Sequence, residues 1–240
     1  MKKTIIFVAV IALTMVTFTS CTKEENDSNE NGNNPAEEEI IEEWVDLDLP
    51  SGLLWCSHNV GAKFPENYGN YYAWGETTAK DRYDWMTYQY INNENNQKLT
   101  KYCNNSYYGH DGFTDNLTVL EPEDDAATVN MGDGTRTPTI EEWMELINNT
   151  TSTWTQVNGV NGRTYKGANG NSIFLPATGY YEGTGSYSVL SRGIYWSASL
   201  DTETSPRNAQ AFDFSSSRQG KAIYYRSTGF TVRAVCERKK

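Results

Sequence analysis

The chain has 240 residues and a formal net charge of −11; tyrosine (16) and tryptophan (7) are abundant, whereas histidine (2) is scarce. Nucleic-acid binding needs a basic stripe and docking on anionic lipid needs clustered lysine and arginine, so the acidic balance argues against both partners. The length suits one domain with a substantial core. A mildly acidic domain rich in aromatic residues, asparagine and glycine is most typical of a binding module.

Residues 1–20 have the pattern of a secretory signal peptide. Lys2 and Lys3 precede an apolar run over residues 5–16, which is shorter than the ~20 residues that a membrane-spanning helix needs. The following Phe18-Thr19-Ser20-Cys21 resembles the lipobox of bacterial lipoproteins. That resemblance implies cleavage before Cys21 and acylation of this cysteine, which would anchor the chain in a membrane. The alternative is an ordinary cleaved signal in which Cys21 stands by chance.

Residues 21–44 predict a disordered acidic tether. They contain nine acidic residues against the single Lys23, and large apolar side chains are rare before Ile40. Such a segment buries too little apolar surface to offset its ordering entropy, and its like charges extend it. Thr22-Lys23-Glu24-Glu25 resembles the acidic surface-export signal of lipoproteins in some Gram-negative bacteria, which implies an outer-membrane, cell-surface location. A charge run that merely solubilises the chain is the alternative.

Residues 45–240 predict a single domain that begins with short strands. Alternating apolar and acidic residues indicate a strand over residues 45–49, a turn follows at Pro50-Ser51-Gly52, and extended patterns return over residues 53–60 and 71–74. Residues 76–121 are polar, rich in asparagine and tyrosine, and lack periodic apolar positions. A loop of this length is uncommon unless it is functional or internally structured.

Two helices are predicted in the middle of the domain. Residues 121–130 place Pro122 and several acids at a helix start, which the helix dipole favours. The second helix follows a capping box formed by Thr139 and Glu142. Beyond that box, Ile140, Trp143 and two further apolar residues recur at helical spacing.

The remainder of the domain predicts strands over residues 172–176, 193–198, 209–214 and 230–235, separated by glycine-rich turns. Two helices within a set of short strands predict an α+β fold. Four tryptophans fall within strand or helix patterns and are predicted to be core residues. They are Trp55, Trp74, Trp143 and Trp196.

The remaining cysteines and the histidines predict neither a metal site nor another cofactor. With Cys21 acylated, Cys56, Cys103 and Cys236 permit at most one disulfide, and the sequence leaves its pairing open. No Cys-x-x-Cys motif occurs, and His58 and His110 lack the spacing of zinc ligands.

Several motifs together resemble one bacterial family. They occur in order over residues 49–55, 59–62, 65–76, 136–143, 174–180, 195–199 and 232–233, and include Tyr71-Tyr72-Ala73-Trp74-Gly75-Glu76 and Phe174-Leu175-Pro176-Ala177-Thr178-Gly179-Tyr180. In this pattern the chain is similar to the Fibrobacter succinogenes major paralogous domain. The resemblance implies a C-type-lectin-like fold of the branch that includes formylglycine-generating enzymes. The architecture implied is a small twisted antiparallel β core, two flanking helices and long loops on one face.

Known chemistries of that fold find little support in the residues. Formylglycine generation needs paired reactive cysteines near the last strand, where only Cys236 stands. Glu121-Pro122 superficially resembles a calcium-dependent sugar motif, but its partner motif is missing and the acids suit a helix start. Ser197 is not in a nucleophile elbow. We therefore predict no catalytic residue and no enzyme, with an unmarked carboxylate site as one alternative.

Ligand binding through loops remains as the predicted function. The loops over residues 180–192, 200–208 and 216–226 carry tyrosines and arginines, which supply contact area and hydrogen bonds at modest entropic cost. Carbohydrate or protein is the expected ligand, and a structural or adhesive role in a surface assembly is the other alternative. The predicted ligand-binding residues are Tyr181, Tyr187, Arg192, Arg207, Gln219, Tyr224 and Tyr225.

Overall fold

The computed structural model of the chain describes residues 44–94 and 97–238. The predicted signal peptide, the lipidation site Cys21 and all of the predicted tether except Trp44 lie outside the described residues. Within the described residues, no helix has both the length and the apolar character needed to cross a bilayer.

Short strands are the main elements of the described chain. The strands are β1 (Trp44–Asp46), β2 (Leu54–Asn59), β3 (Tyr71–Tyr72), β4 (Ile91–Asn92), β5 (Lys98–Leu99), β6 (Thr135–Arg136), β7 (Thr151–Val157), β8 (Val160–Lys166), β9 (Ser172–Pro176), β10 (Tyr180–Glu182), β11 (Gly185–Tyr187), β12 (Gly193–Leu200), β13 (Asn208–Phe214), β14 (Gln219–Tyr225), β15 (Phe230–Thr231) and β16 (Arg233–Cys236). The α-helices are α1 (Ala126–Met131) and α2 (Ile140–Asn149), and single 3-10 turns occupy His110–Gly112 and Pro122–Asp124.

The expected α+β, C-type-lectin-like fold with two flanking helices is wrong. Among the described residues, 39% are strand and 11% are helix, and these strands form five small sheets. Both helices are short: α1 has six residues and stops at Gly132, whose φ is 97°, and α2 has ten. The residues after α2, by contrast, are largely strand.

A four-stranded sheet brings the first and last described strands together. Its order is β1-β2-β16-β6, and all three pairings are antiparallel. Arg233 of β16 is fully buried and donates to the side chain of Asn59 and to the carbonyls of Cys56 and Phe174. One guanidinium therefore joins this sheet to β9.

A five-stranded sheet in the order β14-β13-β12-β15-β3 forms the centre of the domain. All eight residues of β12 are buried, because this strand lies inside the sheet and the sheet is covered on both faces. Its pairing with β13 is antiparallel and its pairing with β15 is parallel. Strand β14 forms one edge of the sheet and pairs with β13 over its full seven residues.

Of the three remaining sheets in the described chain, two have two strands each and one has three. Strands β7 and β8 turn at Asn158 and Gly159, whose φ angles of 48° and 82° suit an Asn-Gly hairpin turn. Strand β9 adds to β8, while β4-β5 and β10-β11 form two-stranded sheets.

Two apolar clusters fill the space between the sheets. The first packs one face of the five-stranded sheet against the 76–121 segment, with Trp74 and Trp196 among its members. The second contains Trp55 and Trp143 and lies where α2 meets both larger sheets. These four tryptophans are at most 1% exposed, so their predicted core positions are confirmed.

The predicted helix over residues 121–130 starts later than expected. Pro122–Asp124 forms a 3-10 turn, and the Asp125 side chain then caps α1 by accepting from the amide of Ala127 at 2.8 Å. The second predicted helix is confirmed with its capping box. The amide of Glu142 donates to the Thr139 hydroxyl at 3.3 Å, and the Glu142 carboxylate accepts from the amide of Thr139 at 2.8 Å.

Removing the cap of α2 should weaken the domain measurably. The substitution Thr139→Ala leaves the amide of Glu142 without its hydroxyl acceptor, so we expect the free energy of unfolding to fall by about 1 kcal/mol. Urea unfolding followed by tryptophan fluorescence measures the change. Thr202→Ala is the matched control because Thr202 is exposed, and equal effects of the two substitutions would contradict a capping role.

Candidate functional site

The predicted ligand-binding residues are divided among strands and connections rather than loops alone. Three belong to edge strand β14, two to the β10-β11 hairpin and two to connecting segments; in that order they are Gln219, Tyr224 and Tyr225; Tyr181 and Tyr187; and Arg192 and Arg207. The expectation that residues 216–226 form a loop is therefore wrong, since most of them pair with β13.

Strand β14 places neighbouring tyrosines on opposite faces of its sheet. Lys221, Ile223 and Tyr225 are exposed and alternate with the half-buried Ala222 and Tyr224. Successive side chains of a strand point to opposite faces, so Tyr224 and Tyr225 belong to different surfaces. The predicted residues therefore do not form one site: Arg207 and Tyr225 belong to one group, Arg192 and Tyr224 to a second, and the remaining three lie apart from both.

The first group lies on an exposed aromatic surface, which we call the aromatic platform and define as Trp85, Met86, Arg207 and Tyr225. The rings of Trp85 and Tyr225 meet edge to face with centroids 5.9 Å apart. The Arg207 guanidinium carbon lies 5.2 Å from the centroid of the Trp85 ring. Tyr225 is 58% exposed and Met86 is 64% exposed, so solvent reaches the platform.

Two chain segments far apart in sequence build the platform. Arg207 directly precedes β13, whose first residue pairs with Tyr225 in β14. Its guanidinium also donates to the carbonyl of Gln97 at 2.6 Å, and the Gln97 amide contacts the Met86 sulfur at 4.0 Å. Arg207 therefore ties the sheet edge to the segment that carries Trp85 and Met86.

A buried arginine holds that segment against the sheet. Arg226, which follows β14, is fully buried and donates to the Tyr88 hydroxyl at 2.8 Å. It also donates to the carbonyls of Tyr102 (3.1 Å), Pro206 (3.0 Å) and Lys101 (3.2 Å). Three aromatic rings surround the guanidinium, with centroids 4.9 to 5.7 Å from its carbon. They belong to Trp74, Tyr88 and Tyr102.

The carboxylate of Asp124 fixes the later part of the same segment. It is buried and accepts from the hydroxyls of Tyr90 and Tyr102 and from the Lys101 ammonium at 2.7 Å. Burial alone would raise the pKa of Asp124, but these hydrogen bonds outweigh it and lower the pKa below its usual value. The carboxylate is therefore ionised at neutral pH and fully used by the fold.

Glu76 anchors the beginning of the segment. It is 6% exposed, bonds the Lys80 ammonium and accepts from the amide of Gln89 at 2.7 Å. The hydroxyl of Tyr88, the residue before Gln89, donates to the carbonyl of Trp74 at 2.7 Å. The Tyr88 ring meets the Trp85 ring edge to face, with centroids 5.4 Å apart. Trp85 of the platform therefore packs on Tyr88, a buried side chain whose position is fixed by hydrogen bonds.

The second group of predicted residues surrounds Asp213 of β13, which is 3% exposed. Its Oδ2 accepts from Arg192, from Arg218 at 3.0 Å and from the Tyr224 hydroxyl at 2.9 Å. Burial and the Asp213 charge raise the pKa of Tyr224 to about 12, so its hydroxyl stays protonated and donates at neutral pH. The hydrogen bond to Asp213 likewise raises the pKa of Arg192.

Three of the predicted ligand-binding residues, Gln219, Tyr181 and Tyr187, belong to neither of these two groups. The Gln219 side-chain oxygen accepts from Tyr165 at 2.8 Å and from Ser152 at 3.2 Å, which ties β14 to the β7-β8-β9 sheet. Tyr181 is half-buried, and its ring contacts Tyr71 at 4.7 Å. Tyr187 is 49% exposed and stacks on Tyr180 in the β10-β11 hairpin.

The described residues offer no cluster of metal ligands, and the hydroxyl of Ser197 is used by the fold. Among them, no group of three or more histidine, cysteine, aspartate or glutamate side chains could hold a metal ion. Ser197 is buried, and its hydroxyl donates to the carbonyl of Gln210 at 2.6 Å. Asp125, within the Glu121–Asp125 run that superficially resembles a sugar motif, is buried and accepts from Thr137.

Sequence reasoning missed Trp85 and Met86, which complete the platform. They lie in the polar stretch over residues 76–121, where no apolar periodicity draws attention to them. The available signal was a lone tryptophan inside a tyrosine-rich segment too long to be an ordinary loop.

No protein-family model matches the chain, and neither a search of curated proteins nor one of solved structures found a match.

Proposed function

We propose that the chain is a lipid-anchored binding module of the outer membrane, exposed at the cell surface, that binds carbohydrate through the aromatic platform. The observation that carries this proposal is the exposure of Tyr225 beside Trp85 and Arg207. Lipidation at Cys21, the surface location and kinship with the Fibrobacter succinogenes major paralogous domain rest on the sequence and remain predictions.

The platform has the chemistry that a sugar face requires. An aromatic ring offers a flat apolar surface, and tyrosine adds a hydroxyl at its rim that bonds to water or ligand. Arg207 packs on the Trp85 ring and adds to the contact surface, and tyrosine, tryptophan and arginine carry most of the binding energy in many interfaces. A ligand with both apolar C–H faces and hydroxyl groups satisfies both kinds of contact.

The support beneath the platform favours binding without a large rearrangement. Trp85 packs on Tyr88, which is held by Arg226, and Arg207 bridges to Gln97. A surface held in place before binding loses less side-chain entropy when the ligand arrives. The buried carboxylates of Asp124 and Asp213 are occupied by internal hydrogen bonds, which favours a structural role for these two acids.

Removing the exposed tyrosine should abolish most of the affinity. We expect Tyr225→Ala to weaken binding to any glycan recognised by the wild-type chain at least tenfold, which is about 1.4 kcal/mol. The measurement uses the full-length chain, purified in detergent, on a glycan array and then by titration calorimetry. Phe64→Ala is the matched control, since Phe64 is also an aromatic residue with 58% exposure.

Two results would overturn the carbohydrate proposal. One is an array on which the wild-type chain recognises no glycan. The other is an affinity that Tyr225→Ala and Phe64→Ala change equally, because the platform would then have no special part in recognition.

A protein partner is the second candidate, favoured by the turn after β11. Val189 and Leu190 are exposed there, next to the exposed Tyr187 at the end of β11, and Leu190 has a φ of 63°, which is unusual for a bulky residue. Hydrogen bonds hold this turn: the amide of Leu190 donates to Ala177, and Asn161 donates to the Leu190 carbonyl. Backbone strain of this kind often marks recognition sites. A second chain cross-linked at this turn on intact cells would favour the adhesive role.

The location is tested separately from the ligand. Mass spectrometry of the mature N-terminus should find an acylated Cys21, and protease added to intact cells should cleave the domain. An unmodified N-terminus, or protection until the cells are lysed, would contradict the surface-lipoprotein proposal.

A further inference from the structure

Strand β14 has an open edge. It is an outer strand of the five-stranded sheet, and it pairs with β13 over its full length without a bulge. It contains no proline, and Lys221 is its only charged residue. Natural sheet edges are usually protected by bulges, prolines or charges, because an unprotected edge pairs readily with another strand. This edge has little protection of that kind.

Hydrogen bonds at the two ends of the β13-β14 pair show which residues point to the open side. The amide of Arg226 donates to the carbonyl of Arg207, and the amide of Ser215 donates to the carbonyl of Arg218. In an antiparallel pair, residues that exchange such bonds alternate with residues whose N–H and C=O groups point away from the partner strand. The even-numbered residues of β14 therefore bond β13, and its odd-numbered residues direct their backbone groups outward.

Three of the outward-pointing residues are Lys221, Ile223 and Tyr225. Among the described residues, none bonds to the backbone of Lys221 or Ile223 from the open side, and none bonds to the amide of Tyr225. The Tyr225 carbonyl accepts from the amide of Thr228 at 3.0 Å and keeps a second lone pair. The three side chains are exposed as well, so solvent reaches this part of the strand.

Helix α2 leaves these side chains uncovered. Its Trp143 stacks on Phe212 of β13, so the helix lies over the interior of that face of the sheet. Lys221, the residue of β14 that pairs with Phe212, remains exposed, and Ile223 is 41% exposed. The edge therefore combines open backbone groups with an exposed apolar residue.

We infer that β14 is a dimer interface, where it pairs antiparallel with β14 of a second copy of this chain about a two-fold axis at Ile223. In this register Ile223 faces its own counterpart, and Lys221 faces Tyr225 of the second copy. The outward amides and carbonyls of the two strands then bond each other, as in any antiparallel pair. A continuous sheet through both copies results.

The side chains of this edge are complementary to themselves. Residues directly opposite each other lie on the same face, so the Lys221 ammonium reaches the Tyr225 ring of the second copy, which is a favourable cation–π contact. The two Lys221 residues are each two positions from the axis and lie ~14 Å apart along the strands. No like charges of β14 oppose each other, and the exposed surface of Ile223 is buried. Tyr225 also belongs to the platform, but strand pairing needs no ligand, so the inference does not rest on the carbohydrate proposal.

Sedimentation of the full-length chain tests the interface. The chain is purified in detergent, and its mass is measured over a range of protein concentrations at a solvent density that matches the detergent. We expect a monomer–dimer equilibrium with Kd on the order of 10 µM. Ile223→Lys should weaken dimerisation at least tenfold, because the axis sets the two new ammonium groups directly opposite each other.

Val129→Lys is the matched control for Ile223→Lys. Val129 lies on α1 and is 52% exposed, so the same charge is added at a similar exposure away from β14. This control should dimerise as tightly as wild type. An unchanged melting temperature verifies the fold of both variants.

A cysteine on the axis tests the register. Ile223→Cys should form a disulfide between two copies under mild oxidation, because paired residues of an antiparallel ladder have Cα atoms ~5.5 Å apart, within the span of a disulfide. Non-reducing electrophoresis detects this dimer. Thr202→Cys, at an exposed site outside β14, and the wild-type chain, which has Cys236, should remain without such a disulfide.

The inference fails if the wild-type chain sediments as a monomer at every concentration. It also fails if Ile223→Lys dimerises as tightly as wild type, or if Val129→Lys weakens dimerisation by the same factor. Ile223→Cys forming no more disulfide than Thr202→Cys would contradict the register. Neither measurement uses a glycan, so their outcome is distinguishable from that of the carbohydrate experiment.

Discussion

Replacing Arg226 with methionine should lower the free energy of unfolding by about 3 kcal/mol, even though the side-chain volume is nearly kept. The substitution removes the donors that now serve the Tyr88 hydroxyl and the carbonyls of Tyr102, Pro206 and Lys101. Each buried acceptor left without a partner costs about 1 kcal/mol or more. Release of the buried guanidinium offsets part of this loss, so the net effect stays below the sum.

The loss should be concentrated in the 76–121 segment. Arg226 joins the end of β14 to Tyr88 and Tyr102, and few strands tie this segment to the sheets. We therefore expect faster amide hydrogen exchange at Tyr88 and Tyr102 than in β12, together with weaker glycan binding, because Tyr88 supports Trp85.

Urea unfolding followed by tryptophan fluorescence gives the global value for Arg226→Met. Arg82→Met is the control, since Arg82 is an exposed arginine in the same segment and should change stability by less than about 0.5 kcal/mol. If both variants unfold at the urea concentration of the wild type, Arg226 does not hold the segment. Arg226→Lys should also destabilise, because an ammonium cannot reproduce the guanidinium fork.

Trp143→Ala should be the most damaging single change in the second apolar cluster, with a cost of about 4 kcal/mol. The side chain is fully buried and stacks on Phe212 with centroids 4.7 Å apart. It also meets Trp55 edge to face at 4.8 Å, and its indole N–H donates to the carbonyl of Trp196. The indole thus joins α2 to strands of both larger sheets, and its loss leaves a cavity that none of these elements can fill alone.

Met144→Ala provides the comparison for Trp143→Ala. Met144 is the next residue of α2 but is only partly buried, so its truncation shares the helical context without the same loss of packing. Thermal and urea unfolding should separate the two variants clearly. Equal destabilisation would mean that shortening a side chain of α2, and not losing the contact between the sheets, determines the fall in the free energy of unfolding.

The parts of the structure that the sequence predicted depend on residues close together in the chain. The capping box is spelled by Thr139 and Glu142, three positions apart, and its hydrogen bonds close within one helical turn. Trp55, Trp74 and Trp196 lie in apolar strand patterns whose periodicity indicates burial before any partner is known. The Asn158-Gly159 turn also has a local signature, because an Asn-Gly pair favours the positive φ angles of a tight hairpin turn.

The fold class and the start of α1 were wrong because longer-range contacts decided them. Acids at residues 121–125 indicated a helix start, but Asp124 bonds Tyr90 and Tyr102, and Asp125 bonds Thr137. Those contacts confine α1 to six residues. The strands of the C-terminal half then dominate, and the expected pair of flanking helices becomes a minor part of a mostly β structure.

What the sequence by itself determined is therefore local: the cap of α2, the buried tryptophans and several strands. The binding role of the tyrosines and arginines in the expected loops stays a prediction. Only the tertiary structure decided that Tyr224 and Tyr225 face different surfaces and that Trp85 joins Tyr225 from more than a hundred residues away. The physical reason is that strand pairing fixes which face each side chain takes. The register of β13 with β14, and the buried Arg226 beyond it, create the aromatic platform from residues that no local pattern connects.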